Sequence, residues 1–430
     1  MEPAATHRDR ARLGPASDGQ TLIVWRSIAR QSNLDSPALL KTNIPETGMA
    51  ISRRTFSTAV SASLAAPGLI GNAFAQSATL KIGMCAPVTG PAAESGRYAQ
   101  IGAKMAVDAV NKAGGVLGKQ IELIVEDDQT TNPGIVLAFS KLASQTDIVA
   151  FLGSIRSTQV HAMSPDVLKI GKPVMIGGTD PALTHMGNPW LFRFRPNDSY
   201  SGSVIAEYGV KTLGKKKWAI VHSTDAFGTA GGKALTTALG KIDGASIALD
   251  QGYSNQSQDF TPVVLAIKQS GADILGSYFT FENDLGVFAR QLRQLGVTIP
   301  YVGSPSIVNI TALKLAGPAL FGTYGVADYA EDSSAGSRAF GKAYREIAKV
   351  APDNQSSWPY DAVTILCMAI NKAGKTDPAA IREAILAVKK FPGAEGEYNF
   401  DANGDGLHGY NIVRNEKGTI VFDKHIDPTA

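Results

Sequence analysis

From Leu80 onward, short apolar runs alternate with segments whose apolar residues recur at helical spacing. Ile148–Leu152 is a continuous apolar run typical of a buried strand, and Val160–Ile170 follows it with a helical pattern. The same alternation begins again at Trp218–His222, after a loop near Asn197. Strands that alternate with helices predict a mainly parallel sheet covered on both faces, and two successive series predict two lobes.

The remaining elements are predicted in the same way, from apolar runs and from the turn residues that end them. Further strands are predicted at Leu80–Met84, Ile121–Glu126, Pro173–Ile176, Ser246–Leu249, Ile274–Ser277, Tyr301–Gly303 and Tyr410–Arg414. Further helices are predicted at Tyr98–Asn111, Pro133–Ala143, Gly231–Leu239, Thr261–Ser270 and Asp284–Leu295.

The segment before this series has a different pattern. Residues 1–48 show no sustained apolar periodicity, and we interpret them as a non-native N-terminal extension. Residues 49–75 combine Arg53-Arg54, a weakly apolar stretch and Ala73–Ala75, the small-x-small pattern that a signal peptidase reads. The arginine pair resembles the twin-arginine export signal. An amphipathic helix is the alternative, but we predict a signal peptide cleaved near Ala75 and a periplasmic protein.

Charge and composition exclude some classes of protein. The 430 residues carry 41 Lys/Arg and 38 Asp/Glu, of which the first 75 residues hold 8 and 5, so the rest carries 33 of each. A neutral chain without a basic stripe argues against nucleic-acid binding. The 44% hydrophobic and 18% charged composition is typical of a folded globular protein. No apolar run reaches the roughly 18 residues that span a bilayer.

Two glycine-rich segments match ligand-binding loops only in part. Gly114–Lys119 lacks the first glycine and the Ser/Thr of a phosphate-binding loop and stands between a helix and a strand, so we interpret it as a turn. Asp401–Gly406 matches the first half of a calcium loop, but the twelfth position is Ile412 instead of glutamate. A turn before a strand is the favoured interpretation there.

The sequence offers no set of residues that forms a nucleophile with a base, an acid–base pair or a metal site. Cys85 and Cys367 are interpreted as small buried residues, although a bridge between them is possible in an oxidising compartment. We therefore predict no enzyme activity, no metal and no cofactor. The histidines after the N-terminal segment are scattered at no ligand spacing: His161, His185, His222, His408 and His425.

Short motifs follow one another in a fixed order from Leu80 to Phe422. They are Ile82-Gly83-Met84, Thr89–Ala93 with Gly96, Gly102-Ala103, Ala113–Gly115, Glu126–Asp128, Gly153 with Ser157, Gly178–Thr184, Arg193–Arg195, Asp225–Gly228, Asp259-Phe260, Gly271–Asp273, and Gly396 with Phe400–Asp405. This series resembles the periplasmic branched-chain amino-acid (Leu/Ile/Val) binding proteins, which are type I solute-binding proteins of ABC transporters.

The resemblance implies an α/β type I periplasmic binding protein fold, in which three hinge crossovers near Asn197, Tyr324 and Gly393 join two Rossmann-like lobes. It implies a monomer that captures a small amino acid or related carboxylate between the lobes and delivers it to an inner-membrane ABC permease. A ligand-sensing receptor component on the same fold is the alternative. Lobe 1 is expected at residues 78–197 plus 328–393, and lobe 2 at residues 198–327 plus 394–422.

The resemblance also places the ligand at loops that follow strands, where ligands of open α/β sheets bind. It puts Ser157 at the ligand carboxylate, and it puts Gly177, Gly178 and Thr179 at the carboxylate and the ammonium. From the residues alone, a helix N-cap followed by a turn explains these positions about equally well.

Three further positions of the expected site follow from the same resemblance. Phe227 and Phe281 align with aromatic residues that close over the ligand, although an ordinary core role is the alternative. Ser95 aligns with a first-lobe aromatic residue that touches the ligand, so one apolar wall is expected to be missing. Arg156, next to Ser157, is interpreted as a solvated surface arginine.

One position departs from the pattern of the family. Amino-acid binders of the family pair the ligand ammonium with an acidic side chain in the second lobe, where this chain has Pro305. Proline offers neither charge nor N–H, so a buried ammonium there would lack a counter-charge. Glu282 and Asp284 in a neighbouring loop are possible substitutes, but capping of a helix N-terminus explains them equally well. We therefore expect a relaxed or absent demand for the α-amino group, which favours a small aliphatic or aromatic carboxylate over leucine as the ligand.

Overall fold

The computed structural model describes residues 79–428. The predicted N-terminal extension, the signal peptide and its cleavage near Ala75 lie outside the described residues and stay predictions. Among the helices of residues 79–428, none is both long enough and apolar enough to cross a membrane.

The first lobe is built on a parallel sheet of five strands. The strands are β1 (Leu80–Ala86), β2 (Ile121–Asp127), β3 (Ile148–Leu152), β4 (Val174–Ile176) and β5 (Leu191–Arg193). Their order in the sheet is β2-β1-β3-β4-β5. The helices between them are α1 (Ala93–Lys112), α2 (Asn132–Ala143), α3 (Ser157–Ile170) and α4 (Ala182–His185). Each strand and helix that the sequence predicts in this part of the chain is present, with somewhat different ends.

The second lobe is built on a sheet of seven strands. Its parallel strands are β6 (Lys217–Ser223), β7 (Ser246–Tyr253), β8 (Ile274–Tyr278), β9 (Tyr301–Gly303) and β10 (Tyr324–Ala327). Two short strands, β11 (Phe391–Pro392) and β12 (Glu397–Tyr398), form a separate hairpin later in the chain. The antiparallel strands β13 (Tyr410–Glu416) and β14 (Thr419–Ile426) then complete the seven-stranded sheet, whose order is β14-β13-β10-β9-β8-β6-β7. The helices of this lobe are α5 (Asp198–Glu207), α6 (Ala226–Leu239), α7 (Thr261–Ser270), α8 (Glu282–Gln294) and α9 (Ile310–Ala316).

After β10 the chain returns to the first lobe. It forms α10 (Ala335–Ala348), α11 (Asn354–Ala373) and α12 (Pro378–Leu386). Helix α11 packs along α1, where Gly102 permits a close approach because a Cβ there would lie 1.9 Å from the carbonyl oxygen of Ser356. The first lobe is therefore completed by helices that begin more than 140 residues after the end of its sheet in the sequence.

Burial explains why these segments form strands and helices. All five residues of β8 are buried, and so are four of the five in β3, as expected for parallel strands with helices on both faces. Helices α3 and α7 end at Gly171 and Gly271, whose φ angles of 65° and 64° lie in the left-handed region that favours glycine. The sequence signals for strand interiors and helix ends therefore agree with the packing.

Three segments carry the chain between the lobes. The first passes through Asn197, whose side chain caps α5 by accepting the N–H of Ser199 at 3.0 Å. The second leaves β10 at Asp328. The third comes between Gly406 and Tyr410, where β13 joins the second sheet.

The third crossing lies later in the chain than the expected position near Gly393. Residues 394–406, expected in lobe 2, contact the first lobe instead, and at their end the N–H of Arg193 in β5 donates to the carbonyl oxygen of Gly404 at 2.8 Å. The N–H of Gly406 donates to the carbonyl oxygen of Arg193 at 3.0 Å. The cause is backbone pairing, which the sequence pattern does not reveal.

A buried ion pair fixes this segment to β5. Arg193 Nε lies 2.9 Å from Asp405 Oδ1, and the two side chains are 0% and 3% exposed. Asp401 Oδ1 accepts the backbone N–H groups of Asn403 and Asp405, each at 2.9 Å. The segment therefore forms a turn, which confirms the favoured interpretation of Asp401–Gly406.

The other ambiguous features of the sequence also have a place in the fold. Gly114–Lys119 forms a turn in which the N–H of Val116 donates to the carbonyl oxygen of Lys119 at 2.8 Å. Cys85 and Cys367 are buried and unpaired, so the bridge considered from the sequence does not form. Burial raises the pKa of the Cys367 thiol to about 12, as expected for a small residue packed in the core.

We expect Asp405→Ala to lower the free energy of unfolding by about 3–5 kcal/mol, because Arg193 then stays buried without its counter-charge. Denaturation with guanidinium chloride measures this loss. The control Asp108→Ala removes an exposed pair with Lys104, 2.7 Å apart, and should cost less than about 0.5 kcal/mol. Similar losses in both variants would contradict a structural role for the buried pair.

Candidate functional site

A cleft between the lobes contains two adjoining cavities. Loops at the carboxyl ends of strands from both sheets line them, which is where open α/β sheets bind ligands. The inner cavity, of about 50 Å³, is lined by Ile155, Arg156, Arg195, Phe227, Phe279, Thr280, Glu282, Pro305, Ser306, Asn309, Asn354 and Gln355. The outer cavity, of about 310 Å³, is lined by Thr130, Asn132, Arg156, Ser157, Thr158, Gln159, Asp225, Phe227, Asn255, Gln256, Thr280 and Phe281.

Arg156 lines both cavities and is only 8% exposed. It lies between β3 and α3, and its guanidinium stands 5.2 Å from the ring centre of Phe281 in the opposite lobe. The interpretation as a solvated surface arginine is therefore wrong, because the second lobe covers a side chain that its own lobe leaves open. Among residues 79–428, neither Nε nor Nη1 of Arg156 has a hydrogen-bond partner.

Glu282 supplies the opposite charge to the inner cavity. It is the first residue of α8, and its Oε1 accepts the hydroxyl of Ser95 at 2.7 Å and the side-chain N–H of Asn309 at 3.3 Å. Ser95 belongs to α1, so this hydrogen bond crosses the cleft. Pro305 lines the same cavity, which means that an acidic side chain does lie beside the position where the sequence lacks one.

Asp284, the other acid considered from the sequence, lines neither cavity. Its Oδ2 accepts the backbone N–H of Gln256 at 2.8 Å. Burial raises the pKa of Asp284 to about 6, and the hydrogen bond from Gln256 offsets this rise only in part. Of the two acids, Glu282 is therefore the one that can meet a ligand in the cleft.

Further contacts join the lobes around the cleft. Lys314 of α9 forms an ion pair with Glu94 of α1 at 3.0 Å. The N–H of Ile310 donates to Asp353 Oδ2 at 2.9 Å, just before α11 begins. These contacts hold the two walls of the cleft together from opposite lobes.

Ser157 is the first residue of α3 and lines the outer cavity. Its Oγ accepts the backbone N–H groups of Thr179 at 3.2 Å and Asp180 at 3.1 Å. The structure shows no acceptor for the Ser157 hydroxyl proton among residues 79–428. A ligand oxygen in the outer cavity can therefore accept a hydrogen bond from Ser157.

Gly177, Gly178 and Thr179 form a layer behind the cleft and line neither cavity. The Thr179 hydroxyl donates to Asp198 Oδ2 at 2.8 Å, and the Gly177 carbonyl oxygen accepts from Arg195 Nη1 at 3.0 Å. These groups have partners inside the protein, so their contact with a ligand stays a prediction.

The aromatic positions lie where a ligand can touch them. Phe227 lines both cavities and Phe281 lines the outer one, beside Ser157. Ser95 lines neither cavity and reaches the site through Glu282. The structure thus brings Ser157, Phe227 and Phe281 together in one cavity.

Sequence reasoning missed several residues of the inner cavity. Arg195 belongs to the first crossing, and Asn309 caps α9 by accepting the N–H of Thr311 at 2.8 Å. The position of Asn309 after β9 was a usable signal, because it follows a strand end next to Pro305. Asn354 and Gln355 come from the start of α11, and nothing in their spacing links them to the other cleft residues.

The comparison with known proteins agrees with this architecture. Residues 79–419 match the family model for periplasmic binding proteins. The chain belongs to the periplasmic binding protein family. Its two-lobed α/β structure is the type I fold of that family, as the sequence predicts.

Relatives of this periplasmic binding protein carry names that describe amino-acid binding. One is the leucine-, isoleucine-, valine-, threonine- and alanine-binding protein of Pseudomonas aeruginosa, 27% identical, with 82% of this chain and 91% of the relative covered. Another is Leu/Ile/Val-binding protein homolog 3 of Brucella melitensis, 29% identical, with 84% and 97% covered.

A solved structure shows the same fold. It is the branched-chain amino acid transporter substrate binding protein LivJ from Streptococcus pneumoniae in complex with isoleucine, with a TM-score of 0.75 and 24% identity. The match covers 82% of this chain and 100% of that one.

Asp198, behind the cleft, gives the protein a testable pH dependence. Burial raises the pKa of Asp198 to about 7, and the Thr179 hydrogen bond and the charge of Arg195 offset this only in part. Since an unfolded aspartate has a pKa near 3.9, the folded protein binds a proton that the unfolded chain releases. The contribution of Asp198 to stability therefore falls as the pH rises from about 4 to about 7.

We expect the Asp198→Asn variant to lose the part of the pH dependence of stability that comes from the titration of Asp198. The difference in free energy of unfolding, variant minus wild type, should therefore rise between pH 5 and pH 8, as measured by guanidinium chloride denaturation at both values. The exposed control Asp243→Asn should show a difference that does not change with pH. A constant difference for Asp198→Asn as well would rule out the raised pKa.

Proposed function

We propose that this protein binds an amino acid in the cleft and delivers it to an inner-membrane ABC importer. The observation that carries the proposal is the pair of opposite charges in the inner cavity, Arg156 and Glu282, neither of which forms an ion pair within residues 79–428. An amino acid carries a carboxylate and an ammonium close together, so it matches both charges.

The third charged residue of the inner cavity does not disturb this match. Arg195 is neutralised by Asp328, whose Oδ2 lies 2.8 Å from its Nη2. Arg156 therefore holds the free positive charge, beside the hydroxyl of Ser157. We assign the ligand carboxylate to Arg156 and Ser157, and the ammonium to Glu282, because charge-assisted hydrogen bonds are the strongest that a small ligand can form.

This proposal replaces the expectation of a ligand without an α-amino group. That expectation rested on Pro305, which leaves one second-lobe loop without an acid. Glu282, from the neighbouring loop, lines the same cavity and offers the counter-charge. The names of the relatives from Pseudomonas aeruginosa and Brucella melitensis support an amino-acid ligand. Export to the periplasm, a monomeric state and the permease as partner are parts of the same proposal.

We expect a pool of the twenty protein L-amino acids to raise the melting temperature of the protein, because a ligand at a hundred times its Kd adds about 2.7 kcal/mol of stability. Differential scanning fluorimetry measures the shift. The matched pool of N-acetyl-L-amino acids lacks the ammonium and should give no shift. Equal shifts with both pools would contradict recognition of the ammonium, and no shift with either would overturn the proposed function.

Two substitutions test the assigned roles. Arg156→Met and Glu282→Gln should each weaken binding of the active amino acid roughly tenfold to a hundredfold, because a hydrogen bond to a charged group contributes about 1.5–3 kcal/mol. Isothermal titration calorimetry measures Kd, and the melting temperature without ligand reports on folding. The control Lys211→Met removes an exposed ion pair with Glu207, which lies outside both cavities, and should leave Kd within about threefold. An unchanged Kd in either cavity variant would remove that residue from the site.

A further inference from the structure

Most of the residues that line the two cavities carry polar side chains. The apolar residues that line the two cavities are Ile155, Phe227, Phe279, Phe281 and Pro305, and all the other lining residues carry polar side chains. A pocket for a branched alkyl group is normally lined by apolar side chains with few polar groups. This cleft has more polar groups than such a pocket, so the hydrogen-bond partners of those groups decide which ligand side chain it accepts.

Three of the lining side chains have buried polar atoms without a hydrogen-bond partner among residues 79–428. They are Nε and Nη1 of Arg156, Oδ1 of Asn354 and Oδ1 of Asn255. Arg156 is 8% exposed and Asn354 is 6% exposed, so both are more than nine-tenths buried. Asn354 lines the inner cavity, Asn255 the outer one, and Arg156 both. Each of the two cavities therefore contains at least one unpartnered polar group.

The orientation of two of these groups, Asn255 and Arg156, is limited by their neighbours. The Asn255 amide nitrogen donates to Asp225 Oδ2 at 2.7 Å, which leaves its oxygen as the free acceptor. The guanidinium of Arg156 lies over the Phe281 ring, which limits the plane in which its N–H groups donate. A bidentate α-carboxylate uses two of the five N–H groups of an arginine, so donors remain for a second oxygen.

Covering such groups with hydrocarbon is unfavourable. A buried donor or acceptor that loses water without gaining a partner is strongly penalised. Sites built to hydrogen-bond a ligand group reject an analogue of the same shape that lacks it, often by several orders of magnitude. A ligand oxygen that accepts a hydrogen bond from Arg156 avoids this penalty for the arginine. A ligand N–H that donates to Asn354 or Asn255 avoids it for the asparagine oxygen.

We propose that the side chain of the bound amino acid carries a planar oxygen-bearing group, a carboxylate or a carboxamide, instead of a branched alkyl group. This inference rests on the proposed function, since it describes the side chain of the ligand bound by Arg156 and Glu282. The side-chain oxygen accepts from Arg156, and a carboxamide nitrogen donates to the free oxygen of Asn354 or Asn255.

Three amino acids of nearly the same shape test the inference. L-leucine, L-asparagine and L-aspartate differ at the end of the side chain in polarity and charge but little in size. Isothermal titration calorimetry on the full chain should show L-asparagine or L-aspartate binding at least tenfold more tightly than L-leucine. Which of the two is tighter distinguishes a carboxamide from a carboxylate. Tightest binding of L-leucine would overturn the inference and mean that ordered water pairs with the polar atoms.

A pair of matched variants checks the physical cause. Asn354→Leu removes the unpartnered oxygen at nearly constant volume and should shrink the preference over L-leucine by about tenfold or more. Asn371→Leu changes the same residue type at an exposed position of the same helix, outside both cavities, and should leave the preference unchanged. Equal effects of the two variants would contradict the role of buried, unpartnered atoms.

The amino-acid pool separates failure of this inference from failure of the proposed function. If the pool raises the melting temperature, its active member is found by testing the twenty amino acids singly. An active member with a hydrocarbon side chain overturns the inference and leaves the proposed function intact. If neither the pool nor any of the three isosteres binds, both are overturned.

Discussion

The position of the two lobes depends on the buried guanidinium of Arg195. It donates to Asp328 Oδ2 from Nε and Nη2, at 3.2 and 2.8 Å, and to the carbonyl oxygen of Gly177 from Nη1 at 3.0 Å. Arg195 lies in the first crossing, Asp328 in the second, and Gly177 at the end of β4, so one side chain fixes three segments. Removing either partner would leave a buried charge uncompensated, at a cost of several kcal/mol. Since Arg195 also lines the inner cavity, the hinge and the candidate site share one charged group.

The sequence predicted the layers of this fold because its strands are short apolar runs with turn residues between them. It predicted the ends less well. Strand β2 extends to Asp127 because its polar end pairs in register with Cys85 and Ala86, and such pairing leaves no mark in hydropathy. The expected crossing near Gly393 failed for the same reason, since backbone pairing with Arg193 holds residues 394–406 against the first lobe.

The sequence predicts only those residues of the candidate site that directly follow the end of a strand. Ser157 follows a strand and lines the outer cavity, as its position predicts, whereas the loop at Gly177, which also follows a strand, lies behind the cleft. Arg156 was misinterpreted because its burial depends on Phe281, which belongs to the other lobe and lies more than 100 residues away. Asn354 lies still further along the chain. Burial across a cleft is a property of the tertiary structure, so sequence spacing cannot reveal it.

In the proposed function, the charge that binds the ligand comes from the loop of Glu282 instead of the loop of Pro305, without a change of fold. The loops after β8 and β9 end on the same wall of the cleft because these strands are neighbours in the second sheet. An acid in either loop can therefore face the same cavity, and Ser95, small where the resemblance has an aromatic residue, leaves room to hydrogen-bond Glu282 from the opposite lobe. Two departures from the family pattern thus compensate each other in space. The resemblance predicts where the site needs a charge. Only the structure shows which residue supplies that charge.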